Sequence, residues 1–174
     1  MQYGIELRAV TPPDLRALRA WRNSDGVRLQ MQDTRRILPA QQRTWFERIQ
    51  QAPFEWHRVV WCRGLRAGYV NLKGCEGQPW QGQEGVDAGL YLGHSEVRHP
   101  MLAVAAALAQ LDAAFDTLRV ASIHTRVRIG NEAALRLNER LGYRVVARND
   151  EFVTLALSPD DYHSANALLR RFFR

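Results

Sequence analysis

Asp87-Ala-Gly-Leu-Tyr-Leu-Gly93, Arg98-His-Pro-Met-Leu-Ala103 and Asn131-Glu-Ala-Ala-Leu-Arg-Leu-Asn-Glu-Arg-Leu-Gly-Tyr143 follow one another within residues 85–143, and their order decides the fold. The first reads as a strand over 87–92. The run from Leu102 to Phe115 is rich in Ala and Leu, the composition of a helix that lets its neighbours come close, and predicts a helix over 100–118 with Pro100 in its first turn. Ile123, Thr125 and Val127 share one face of a strand over 120–127. Gly130-Asn131 then breaks the chain. Ala134, Leu137 and Leu141 form the apolar stripe of the next helix, which Gly142 ends. A strand that runs into a helix N-terminus places backbone amides and a helix dipole where an anion can be held.

Working outward, Ile5 to Val10 alternates apolar and charged residues, as in a half-buried strand. Thr11-Pro-Pro-Asp14 starts a helix with Leu15, Leu18 and Trp21 on one face; Asn23-Ser-Asp-Gly26 breaks it, and residues 27–31 form an extended or short helical link. Pro39 opens a second helix, with Trp45, Phe46 and Ile49 as its apolar face. Residues 57–62 and 67–72 make a hairpin about Gly64, and 74–85 is a loop. Residues 143–147 and 152–157 form a closing hairpin, and Ser158-Pro-Asp-Asp161 starts a last helix. The order β-α-α-β-β-β-α-β-α-β-β plus a terminal helix predicts an α/β (α+β) fold in a single domain over 1–174. Its sheet is mixed and mainly antiparallel, with one parallel pair around the 101–118 helix.

At 174 residues the chain is long enough to bury a core, and no apolar run approaches a membrane span. The N-terminus lacks the basic and apolar regions of a signal peptide, so a cytoplasmic protein is expected. Cys62 and Cys75 are too few for a disulfide framework, and no His or Cys spacing suggests a metal site. The net charge of +6 is carried almost wholly by arginine, Lys73 being the sole lysine. Arginine favours anionic partners through paired contacts to phosphate. Its scatter along the sequence argues against nucleic acid.

The three quoted segments, in this order, resemble the GNAT superfamily of N-acetyltransferases. The resemblance implies a GNAT fold whose central parallel strand pair is splayed, with acetyl-CoA as cosubstrate lying in the gap. It implies that backbone groups at Leu90 and Leu92 hold the thioester end. Residues Arg98, His99, Met101, Leu102 and Ala103 would take the diphosphate, and Asn131 the pantetheine arm. Asp87 stands where many relatives have the base that deprotonates the amine, with His124 a second candidate. Two positions depart from the family: Met101 replaces the first glycine of the phosphate loop, and Asn138 replaces the tyrosine that reprotonates the thiolate. Both departures also fit a catalytically silent member that keeps the fold as a binding module.

A narrower resemblance rests on Leu18-Arg-Ala-Trp-Arg-Asn-Ser24, Val27-Arg28, residues 37–40 and Trp45-Phe-Glu-Arg-Ile49. These are similar to acetyltransferases that act on 4-amino-sugar nucleotides on the way to pseudaminic acid; ribosomal-protein N-terminal acetyltransferases share part of the layout. The resemblance implies Trp21, Arg22, Asn23, Arg28 and Trp45 as substrate-binding residues. Arg22 and Arg28 would contact diphosphate, and Trp21 or Trp45 would stack on a sugar or base. The acceptor is then a small-molecule amine or nucleotide-sugar. The final strand or C-terminal helix offers a surface for a homodimer.

Overall fold

The computed structural model describes residues 2–93 and 101–172. Its strands are β1 (Ile5–Ala9), β2 (Glu55–Cys62), β3 (Leu65–Lys73), β4 (Val86–Leu92), β5 (Ile123–Arg128), β6 (Arg144–Arg148) and β7 (Phe152–Leu157). The helices are α1 (Leu15–Asn23), α2 (Asp25–Arg28), α3 (Pro39–Gln50), α4 (Leu102–Asp112), α5 (Glu132–Arg140) and α6 (Pro159–Phe172). The strands form one sheet in the order β1-β2-β3-β4-β5-β7-β6. Every neighbouring pair is antiparallel except β4–β5. This is the mixed, mainly antiparallel sheet with flanking helices expected of the GNAT fold.

Alternation along each strand sorts its side chains between two faces. On one face Val70, Leu72, Val86 and Ile123 pack against α4, with Leu137 of α5 and Tyr162 of α6 beside them. On the other face Val59 and Tyr69 pack against Leu18 of α1 and Ile49 of α3. Ala105, Ala106, Ala107 and Ala109 of α4 are buried, so this helix lies close under the centre of the sheet. It continues as a π-helical turn over Ala113–Thr117. Among the described residues no helix is long and apolar enough to cross a membrane.

Asn23-Ser-Asp-Gly26 breaks the first helix as the sequence predicts: α1 ends at Asn23 and the link that follows is the short helix α2. Ser24 takes an extended conformation, and its carbonyl accepts from the amides of Val27 and Arg28 at the start of α2. Two strand starts need correction. The fifth strand begins at Ile123 rather than 120, because Ala121 donates to the Gln83 carbonyl of the preceding loop. The second begins at Glu55 rather than 57, because Glu55 pairs with Lys73.

Candidate active site

Strands β4 and β5 are in register at only two positions, Val86 with Ile123 and Asp87 with His124, after which they diverge. On its other edge β4 pairs with β3 from Asp87 to Leu92. The Val86 amide donates to the Ser122 carbonyl, toward β5, while the Gly93 amide donates to the Ala67 carbonyl, toward β3. Backbone groups alternate sides along a strand, so the amides and carbonyls of Ala88, Leu90 and Leu92 face the gap. Thr125 Oγ1 donates to the Ala88 carbonyl at 3.0 Å and closes the apex. Among the described residues the groups of Leu90 and Leu92 are left as a strand edge without a strand, the arrangement an extended, amide-bearing ligand completes.

A cavity of about 400 Å³ passes through the sheet at this gap. Asn71, Lys73 and Asp87 line it on the α1–α3 side, and Gln110, Leu111, Asn131, Ala134 and Asn138 from beneath. Gln110, buried on α4, donates to the carbonyls of Asn71 (2.8 Å) and Gly89 (3.1 Å). A Cβ at Gly89 would lie 2.5 Å from Asn71 Oδ1, so glycine is what lets the Asn71 carboxamide lie over β4. The Asp87 carboxylate opens to solvent and makes no hydrogen bond or ion pair among the described residues. Partial burial raises its carboxyl pKa, against the weaker opposing pull of Lys73, Arg126 and His124. Asn131 caps α5, its Oδ1 accepting from the Ala134 amide at 3.2 Å. Asn138 turns its Nδ2 back onto the Ala134 carbonyl at 2.9 Å.

A second cavity, of about 500 Å³, adjoins the first and shares Arg22, Met31, Asp33, Lys73 and Leu90 with it. Its walls are the rings of Trp45, Tyr69 and Tyr91, and its rim carries Arg22, Arg35, Arg36 and Lys73 against the carboxylate of Asp33. Part of the wall is the irregular segment 29–38, stapled in place by four side chains. Asn23 bonds both the carbonyl (2.8 Å) and the amide (2.7 Å) of Ile37. Arg28 donates to the Thr34 carbonyl (2.8 Å), Arg128 to the Met31 carbonyl (2.9 Å), and Arg22 to the Asp33 carbonyl. Arg22 Nη1 is buried without an acceptor among the described residues, and burial lowers the pKa of this guanidinium.

Of the residues singled out in the sequence, Asp87, Leu90, Asn131 and Asn138 meet at the first cavity; Arg22 and Trp45 line the second. Asn23 and Arg28 line neither of these cavities and shape the 29–38 wall instead. The Trp21 indole lies directly over Gly93, in space a Cβ there would occupy. Met101 is the N-cap of α4, Leu102 begins the helix with its side chain in the core, and Ala103 follows in the first turn, whose backbone amides are the groups this end of the helix offers. Arg98 and His99 lie outside the described residues. Sequence reasoning missed Lys73, Asn71, Gln110, Tyr69 and residues 30–36. Lys73 carried a signal, being the sole lysine, at the end of a strand that neighbours the one holding Asp87.

The sequence matches the family described as Acetyltransferase (GNAT) domain over residues 5–144. No curated protein matches the chain. Among solved structures the fold is similar to that of apo FdhC, a nucleotide-linked sugar GNAT, with TM-score 0.82 and 19% identity, covering 99% of this chain and 96% of that one. It is similar to the N-acetyltransferase PseH of Campylobacter jejuni, with TM-score 0.66 and 13% identity over 90% and 99% of the two chains. The spermidine N-acetyltransferase of Vibrio cholerae, in complex with CoA and spermine, gives TM-score 0.79 and 16% identity over 91% and 98%. At these identities the likeness is one of fold.

Proposed function

The chain belongs to the GNAT acetyltransferase family, and from that premise we propose that it acetylates the primary amine of a nucleotide-linked amino sugar, with acetyl-CoA as donor. The observation that carries the choice of acceptor is the charge of the second cavity: among the described residues, four cations and one carboxylate surround its aromatic walls. A polyamine meets repulsion there, whereas a diphosphate finds arginine, and a sugar or base finds the faces of Trp45 and Tyr91. The likeness in fold to FdhC, a nucleotide-linked sugar GNAT, supports the same choice.

Acetyl-CoA supplies a thioester whose carbonyl carbon the amine attacks. The amides of Leu90 and Leu92 would donate to the pantetheine arm and to the thioester carbonyl oxygen, on which charge develops in the transition state. The Asn131 carboxamide, whose Oδ1 caps α5, would hold the same arm through its Nδ2. The first-turn amides of α4 would take the diphosphate, the role the sequence also suggests for Arg98 and His99, which lie outside the described residues. Asp87 accepts a proton from the amine through water, and its raised pKa makes it a stronger base than an ordinary aspartate. Asn138, whose carboxamide bonds the Ala134 carbonyl, is not an acid near neutral pH, and solvent protonates the thiolate.

The test is thiol release from acetyl-CoA with three amines at matched concentration: a nucleoside-diphosphate-linked 4-amino sugar, spermidine, and a peptide with a free N-terminus. The expected order puts the nucleotide-linked amine first in kcat/KM by about tenfold or more. A preference for spermidine overturns the acceptor class.

A further inference from the structure

Tyr69 lines the second cavity from β3 and is itself 8% exposed. Its hydroxyl is bonded to His57 Nδ1 on the adjacent strand, the two side chains sharing one face of the β2–β3 pair. His57 Nε2 lies 2.7 Å from Glu55 Oε2, and Arg48 holds Glu55 from the far side. Trp45 packs edge-on against both His57 (5.5 Å) and Tyr69 (6.2 Å), shielding the chain of contacts. The acetyl-transfer roles assigned above do not use this row of groups.

The row has only one consistent arrangement of protons. Burial pushes the Glu55 carboxyl up, but its hydrogen bonds with Arg48 and His57 hold it down at about 2, so it is an ionised carboxylate that can only accept. His57 Nε2 therefore carries a hydrogen. Burial lowers the imidazole pKa, opposed by Glu55, and keeps the ring neutral at neutral pH, so Nδ1 is a bare acceptor. The Tyr69 hydroxyl proton must then point inward to Nδ1. Its oxygen has only lone pairs left for the cavity, and a group docked against it must be a donor, an N–H or an O–H.

We propose that Tyr69 Oη accepts a hydrogen bond from the acceptor's ammonium group and relays one of its protons to His57. The proposal rests on the acetyl-transfer reading and extends it. An ammonium that becomes an amide loses two protons, and Asp87 accounts for one. In the relay the N–H bond of the ammonium breaks as a new Oη–H bond forms. The original Oη–H bond breaks as Nδ1–H forms, and the imidazolium is held by Glu55. After the product leaves, the reverse transfer returns the proton to water in the cavity. Tyr69 touches substrate; His57 and Glu55 are positioning residues behind it. The anion of the substrate stays at the arginine rim, since Tyr69 offers it no donor.

Two measurements decide the matter. Imidazole ¹⁵N NMR of the free protein at pH 7.5 should show His57 neutral, protonated at Nε2, with an Nδ1 signal that moves in Tyr69→Phe. An Nδ1–H tautomer or an imidazolium overturns the proposal whatever the substrate. With acetyl-CoA and a nucleoside-diphosphate-linked 4-amino sugar, Tyr69→Phe should lower kcat on the order of 100-fold while leaving acetyl-CoA affinity by calorimetry unchanged. His57→Gln should lose as much, and the double variant no more than either, because the two act as one unit. Wild-type kcat in Tyr69→Phe overturns the relay. Failure of the wild type to bind acetyl-CoA counts against the acetyl-transfer reading instead, and the NMR result still decides how Tyr69 faces the cavity.

Discussion

Strand β4 has two edges with opposite fates. Toward β3 it is in register at six positions; toward β5 at two. The same residues therefore build sheet with one edge and leave backbone groups unmatched on the other. Each forgone hydrogen bond costs about 1 kcal/mol, and the fold accepts that cost where the helices beneath hold the strands apart. Ala107 and Leu111 of α4 and Ala134 and Leu137 of α5 line the gap without filling it. The zipped edge supplies rigidity, the open edge supplies the candidate site, and both depend on one short strand.

The contrast breaks most visibly at Asp87, which belongs to both edges. Asp87→Ala should lower kcat by about 100-fold or more with acetyl-CoA affinity intact; unchanged thiol release would exclude it as the base. In the wild type the base must be ionised, so activity falls as pH drops through its raised pKa, and the acid limb lies above the ordinary aspartate range. A smaller effect is expected from filling the gap. Ala134→Phe places a ring in the first cavity and should weaken acetyl-CoA binding about tenfold, while far-ultraviolet circular dichroism stays native. At the acceptor end Arg36, exposed on the rim, can be reversed without touching the core. Arg36→Glu should raise KM for the nucleotide-linked amine several-fold, more so at low salt, and leave kcat alone. The mildest change is at the apex: Thr125→Val removes the bond to the Ala88 carbonyl and should cost about 1 kcal/mol in denaturant unfolding.

The two edges also differ in how far the sequence disclosed them. The helix over the alanine-rich segment, the flanking strands and the turn at Gly142 followed from periodicity and local turn chemistry. These place Asp87, Asn131 and Asn138 around one opening. The acceptor side was harder to read, because its wall is the irregular segment 29–38, which has no period and takes its shape from distant side chains. Asn23 and Arg28 sit in a recognisable motif, yet their hydrogen bonds go to that segment's backbone. The pairing of Tyr69 with His57 depends on the exact register of β2 against β3, which is set by the whole hairpin and by a bulge at Val60 and Trp61.

Glu55 links this register to stability. Its carboxyl pKa is depressed from 4.5 to about 2, so the stabilisation it provides is complete above pH 4.5 and is lost as pH falls toward 2. Glu55→Gln should flatten that part of the acid-unfolding curve.

Amide hydrogen exchange along β4, followed residue by residue with and without acetyl-CoA, tests the open edge most directly. In the free protein the amides of Gly89 and Tyr91, which face β3, should exchange slowly and those of Leu90 and Leu92 rapidly. Acetyl-CoA should slow Leu90 and Leu92 alone. Equal protection of all four amides before the ligand is added, or no change at Leu90 and Leu92 once it is bound, would contradict a cofactor seated between β4 and β5.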